Sequence, residues 1–189
     1  MATRLRCGIV AAALAWGIGA AGATRADEPP WTYVEAGYSD IDLDRLGDDG
    51  HGWLAGGSLG IFNFHVFGRY ADGSTDDLDV DVRRWAVGLG WHGLLGPRAD
   101  LFGDVAYVDA EFGPVSDSGH FARAGVRFRP IEPFELGANA RWEDLGDLDD
   151  DVVYEGSAIL YLWRVGIGLG YETADDIDTY SGFLRLTPP

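Results

Sequence analysis

Two histidines lie close to carboxylates, the pairing a hydrolase would use. His51 follows Asp48 and Asp49, and His120 follows Asp117 and Ser118; a histidine held by a carboxylate can activate a serine or a water. Neither group forms a strong motif. His51 falls at a loop-to-strand junction, and His120 occupies a position where other strands carry an aromatic, so structural roles are the plainer expectation and a hydrolase is the minor alternative. Aspartates crowd the same regions: Asp40, Asp42 and Asp44; Asp76, Asp77, Asp79 and Asp81; Asp147, Asp149, Asp150 and Asp151. Closely spaced carboxylates suit Ca²⁺ or Mg²⁺, with the last group the best metal candidates. None fits the twelve-residue calcium loop with its terminal glutamate, so solvated, soluble loops are expected first and weak divalent binding second. No motif implies a cofactor.

The rest of the composition narrows the classes. The chain has 189 residues, 14 basic and 31 acidic, for a net charge of −17; every basic residue is arginine and 23 of the acids are aspartate. So acidic a chain cannot track phosphates through a basic groove, which excludes nucleic acid as its main partner. With 47% hydrophobic and 13% aromatic residues, it can fold. The single cysteine, Cys7, lies in a segment expected to be removed, so no disulfide is expected.

That segment reads as an export signal over residues 1–26. Arg4 and Arg6 precede an almost uncharged run from Gly8 to Gly22, the order of a secretory leader and too short for a comfortable membrane span. Cleavage after Ala23 or Ala26 would leave a small residue last, and Ala26 is favoured because Asp27-Glu28-Pro29-Pro30 follows. An N-terminal anchor helix is the alternative. The exported domain is then 27–189, with 11 basic residues against 31 acidic ones.

Beyond residue 30 the hydrophobic pattern has period two, and no helical stripe competes with it. Runs of about ten residues read as strands near 31–41, 52–61, 64–72, 81–91, 99–109, 119–129, 134–143, 152–162, 165–173 and 178–187. Five long aspartate-rich connections alternate with four short ones, so an up-and-down antiparallel sheet collects the acidic loops at one end and the tight turns at the other. Ten strands are expected, with eight as the alternative.

Each strand has an apolar face and a face of glycine, small and charged residues. The charged face carries Glu35, Arg69, Arg84, Asp104, Arg123, Arg127, Glu135, Arg141, Glu143, Glu155, Glu172 and Arg185. Six acids meet six arginines there, the balance expected of charges enclosed in a narrow lumen, where an unpaired ion costs several kcal/mol. Asp27, Glu28, Asp100 and Glu132 are assigned to the turn end with Arg98, Arg129 and Arg164, and the remaining acids to the loop end. The apolar face bears Tyr38, Trp53, Tyr70, Trp85, Tyr107, Trp142, Tyr154, Tyr171 and Tyr180 at its loop-proximal end, with His120 completing the series on the sixth strand. Tyrosine and tryptophan at one height on an apolar face match a membrane–water interface. A soluble barrel or sandwich would scatter core aromatics along the strands. The fold class is therefore all-β: a transmembrane up-and-down antiparallel barrel.

Three segments carry a wider likeness: Tyr33-Val34-Glu35-Ala36-Gly37-Tyr38, Asn63-Phe64-His65-Val66-Phe67-Gly68-Arg69-Tyr70 and Arg84-Trp85-Ala86-Val87-Gly88-Leu89-Gly90-Trp91. With them the chain resembles the small outer-membrane β-barrels of Gram-negative bacteria, the OmpX/OmpA-like and porin-family barrels. The resemblance covers residues 27–189, is one of pattern, and brings no catalytic or ligand motif. It implies a bacterial outer-membrane location, with lipid and lipopolysaccharide as surroundings; a monomer is expected, and the weak divalent binding read from the aspartate groups would include ions shared with lipopolysaccharide phosphates. Family members commonly end in an outward aromatic residue; here the last alternating residues are Tyr180, Gly182, Leu184 and Leu186, followed by Thr187-Pro188-Pro189. The inward set includes bulky Tyr33, Leu54, Phe67, Phe102, Phe121, Ile159 and Tyr161, enough to fill most of a ten-stranded bore. The expected function is a non-enzymatic envelope protein acting in membrane integrity or surface interaction, with a narrow porin for small solutes or ions as the alternative.

Overall fold

A computed structural model describes residues 30–43, 48–76, 80–146, 148–175 and 177–188. Ten strands follow one another: β1 (Tyr33–Leu43), β2 (Asp48–Ile61), β3 (Phe64–Thr75), β4 (Asp81–Gly96), β5 (Ala99–Phe112), β6 (Val115–Ile131), β7 (Phe134–Leu145), β8 (Leu148–Leu162), β9 (Val165–Ala174) and β10 (Ile177–Leu186). Each pairs antiparallel with its sequence neighbours, and β10 pairs with β1 from Val34↔Leu186 to Leu43↔Ile177, closing the barrel. Closure removes every sheet edge, a requirement for crossing lipid with strands. The proposed leader, residues 1–26, lies outside the described residues.

The strand count and both faces agree with the alternation, but several strands are longer than the expected ten residues. β4, β6 and β8 reach 16, 17 and 15 residues. The segment expected to be a long acidic loop from Ala110 to Ser118 is mostly sheet: β5 and β6 stay paired up to Phe112↔Val115. Gly113, at φ 55°, lets the chain reverse there. The aspartate-rich segments thus stand partly on strand extensions above the apolar zone.

Outward side chains form the apolar belt. Tyr38, Trp53, Trp142, Tyr154 and Tyr180 are each about half exposed, and the aromatic ring is a matter of register. Tyr38↔Trp53, Tyr70↔Trp85, Tyr107↔His120 and Tyr171↔Tyr180 are directly opposite. At the other junctions the next aromatic is offset by two residues, always toward the turn end, as when Trp53 opposes Asp72 and Tyr70 lies below it. Such offsets keep a row level on tilted strands. His120 packs edge-on against Tyr107 at 5.8 Å, occupying the expected aromatic position.

Candidate functional site: the barrel lumen

The inward residues stack in three levels. All twelve charged residues read as inward are buried or half-buried in the lumen. Arg141, on β7, is the hub: fully buried, it pairs with Glu143 and Glu155, and its Nη2 donates to Glu172 Oε1 at 2.8 Å. Its pairing partners lie on β7, β8 and β9, while Arg84, from β4 across the bore, also binds Glu143. Arg69 from β3 reaches Glu155 at 3.3 Å. Below this level Arg123 pairs with Asp104, Arg127 Nη2 donates to Glu135 Oε1 at 2.6 Å, and Arg185 Nη2 to Glu35 Oε2 at 2.6 Å. Ion pairs therefore cross the bore and run around its wall, each burying charge that would be costly alone.

Aromatic side chains support the guanidinium groups from the β3–β6 side. Arg123 lies over Phe67 and Phe102, and Arg141 over Phe121, with cation-to-ring distances of 5.3–5.7 Å. Phe67 and Phe121 belong to a packed cluster with Ala86, Ala106, Val108 and Leu145. Above the charges, Ile41 against Ile177 and Val153 against Ala174 extend this filling toward the outer mouth.

At the turn end a second group of side chains packs into the bore. Trp31, just before β1, folds into the bore and its indole N–H donates to Asp100 Oδ2 at 2.6 Å. It stacks on His92 at 4.3 Å and His65 at 4.5 Å, with the Arg127 guanidinium 4.6 Å from its ring. His65 Nε2 lies 2.8 Å from Asp104 Oδ1. Asp100 is buried rather than placed at the rim, a correction to the charge assignment. Among the described residues, Asp100 joins the six carboxylates and six arginines read as inward, His65 lies beside Asp104, and Arg129 sits 5.2 Å over the buried Tyr161 ring near the turn end. Parity was the available signal: Asp100 shares the face of Phe102 and Asp104, and His65 that of Phe67 and Arg69.

The β7–β10 side is different. Gly137↔Ser157, Ser157↔Gly170 and Gly170↔Ser181 form a directly paired row of small inward residues. Along this wall lies a cavity of about 120 Å³, bounded by Trp31 and Tyr33 toward the turns and Glu172 and Thr179 toward the loops. Polar lining and this volume suit several ordered waters.

The loop-end candidates come together only in part. His51 Nδ1 pairs with Asp76 Oδ1 at 3.0 Å, because β2–β3 pairing brings the end of β3 beside it, and the side chain of Asp48 lies outside the described residues. Asp117 Oδ1 accepts the backbone N–H of Ser118 at 2.8 Å. Of the metal candidates, Asp147 lies outside the described residues and the side chains of Asp149 and Asp150 are likewise not described. Asp151 Oδ1 accepts the Val152 N–H at 2.7 Å.

An even-numbered antiparallel barrel with an apolar outer band, an aromatic girdle and a charged, self-paired interior is a protein built to span the bacterial outer membrane. No family model and no curated protein matches the chain. Solved structures similar to it include the KdgM porin in complex with disordered oligogalacturonate, at 6% identity and a TM-score of 0.47, covering 83% of this chain and 99% of that one. Neisserial surface protein A is similar at 13% identity and a TM-score of 0.43, covering 82% and 96%. Ail, the attachment invasion locus protein of Yersinia pestis, is similar at 15% identity and a TM-score of 0.36, covering 82% and 95%.

Proposed function

We propose that this chain is a closed, non-enzymatic outer-membrane barrel that stabilises the envelope and presents an acidic rim for surface interactions. The observation that carries the reading is the Arg141 hub, whose pairs with Glu143, Glu155 and Glu172, joined by Arg84 from β4, cross the bore between an aromatic stopper and an aliphatic cap. The outer rim holds Asp40, Asp42, Asp49, Asp76 and Asp178 on adjoining strands and connections. In a leaflet of anionic lipopolysaccharide, divalent cations would bridge this rim to lipid phosphates, with the barrel acting as a monomer exported by residues 1–26. Proteoliposome swelling tests closure. Vesicles containing the protein should swell in small sugars no faster than empty ones, and porin-like swelling would overturn the reading. Calorimetry of refolded protein without Ca²⁺ or Mg²⁺ heat at millimolar metal would remove the cation bridge.

A narrow porin is the second reading, favoured by the polar cavity of about 120 Å³ along β7–β10. Swelling restricted to the smallest solutes would support it.

A further inference from the structure

The two turns joining β2 to β3 and β8 to β9 place aromatics where the backbone resists them. Phe62 has φ 56° and Trp163 φ 63°, the left-handed region in which two-residue hairpins ordinarily use asparagine or glycine. Both rings nevertheless point away from the protein, with exposures of 94% and 83%. A strained position holding a large, uncovered ring in each of two separate turns requires a surrounding that rewards the ring.

Barrel height identifies that surrounding. From the girdle to the last paired residue before these turns is eight residues on β2 (Trp53 to Ile61) and β8 (Tyr154 to Leu162), but only six on β3 and β9. At ~3.3 Å per residue and a tilt of ~40°, that is about 15–20 Å along the membrane normal, against an apolar band of ~25 Å. Above the girdle the next outward residue is polar on nine strands, as with Asp40, His51 and Asp72, and apolar only at Val152 on β8, so lowering the barrel would submerge charge and gain almost no apolar height. The turns must therefore lie within the lipid boundary. Arg164, whose guanidinium sits 4.4 Å over the Trp163 ring, supplies the cation that reaches back to a phosphate.

We propose that these turns are anchors immersed in the periplasmic leaflet, with Phe62 and Trp163 at the acyl–headgroup boundary and Arg164 on a phospholipid phosphate. The partner is the lipid surface itself, and the short apolar height draws that leaflet toward the girdle. This rests on the barrel spanning the membrane and is independent of whether its lumen conducts.

Phe62→Cys and Trp163→Cys, each labelled with the environment-sensitive dye NBD, test the proposal in phosphatidylethanolamine/phosphatidylglycerol vesicles. Asp40→Cys on the outer rim is the aqueous control, and unsubstituted protein under the same labelling is the blank. Heat-dependent gel mobility confirms folding of each. Both turn labels should emit to the blue of the rim label, be quenched by lipids brominated on the upper acyl chain, and resist iodide several-fold better. Water-like emission with rim-like iodide quenching overturns the proposal and leaves the tips free for a periplasmic protein. Loss of the heat-dependent mobility shift in unsubstituted protein would instead overturn the barrel.

Discussion

The lumen has two unlike sides. Against β3–β6, Phe67, Phe121, Ala86, Ala106 and Val108 form one packed apolar cluster, and Val108 is wholly buried. Against β7–β10, Gly137, Ser157, Gly170 and Ser181 leave about 120 Å³. The ion pairs lie between the two, propped by rings on one side and open to the cavity on the other. Apolar packing thus lies on one side of the bore and open space on the other.

The largest expected effect tests the boundary between them. Arg141→Ala leaves Glu143, Glu155 and Glu172 facing one another and should cost about 3–5 kcal/mol in urea unfolding followed by tryptophan fluorescence. Neutralising a carboxylate as well, in Arg141→Met/Glu172→Gln, should recover part of it. On the packed side Val108→Ala should cost about 2 kcal/mol in the same assay, because the removed methyls leave a void that rigid neighbours do not close. A smaller contrast comes from adding volume. Ala106→Val should destabilise by about 1–2 kcal/mol, while Ser157→Val, directed into the cavity, should change stability by less than about 0.5 kcal/mol. Equal costs at these two positions would show that the lumen is not two-sided.

Most of the architecture was legible because a strand offers only two faces. Period-two alternation located ten strands, sorted Glu35 and Arg185 from Tyr38 and Leu184, and placed the girdle. Alternation alone does not say which arginine meets which carboxylate. Arg84 and Arg141 converge on Glu143 from opposite walls, and that depends on barrel curvature and side-chain reach. Nor does it mark where a strand leaves the membrane, so the paired extension from Ala110 to Ser118 resembled a loop. Trp31 stood at the start of the first expected strand with the inward parity of Tyr33 and Glu35, but alternation does not say that it turns down to meet Asp100, His65 and His92 and plug the turn end. Phe62 and Trp163 were legible as tight turns, but their positive φ was not.

The most direct test of a closed lumen is the conductance of the unsubstituted protein in a planar bilayer at high potassium chloride. The stacked Trp31 stopper, the Arg141 ion pairs and the aliphatic cap together predict a baseline without unitary steps across the voltage range that the bilayer withstands. Steady, reproducible single-channel steps would contradict the account.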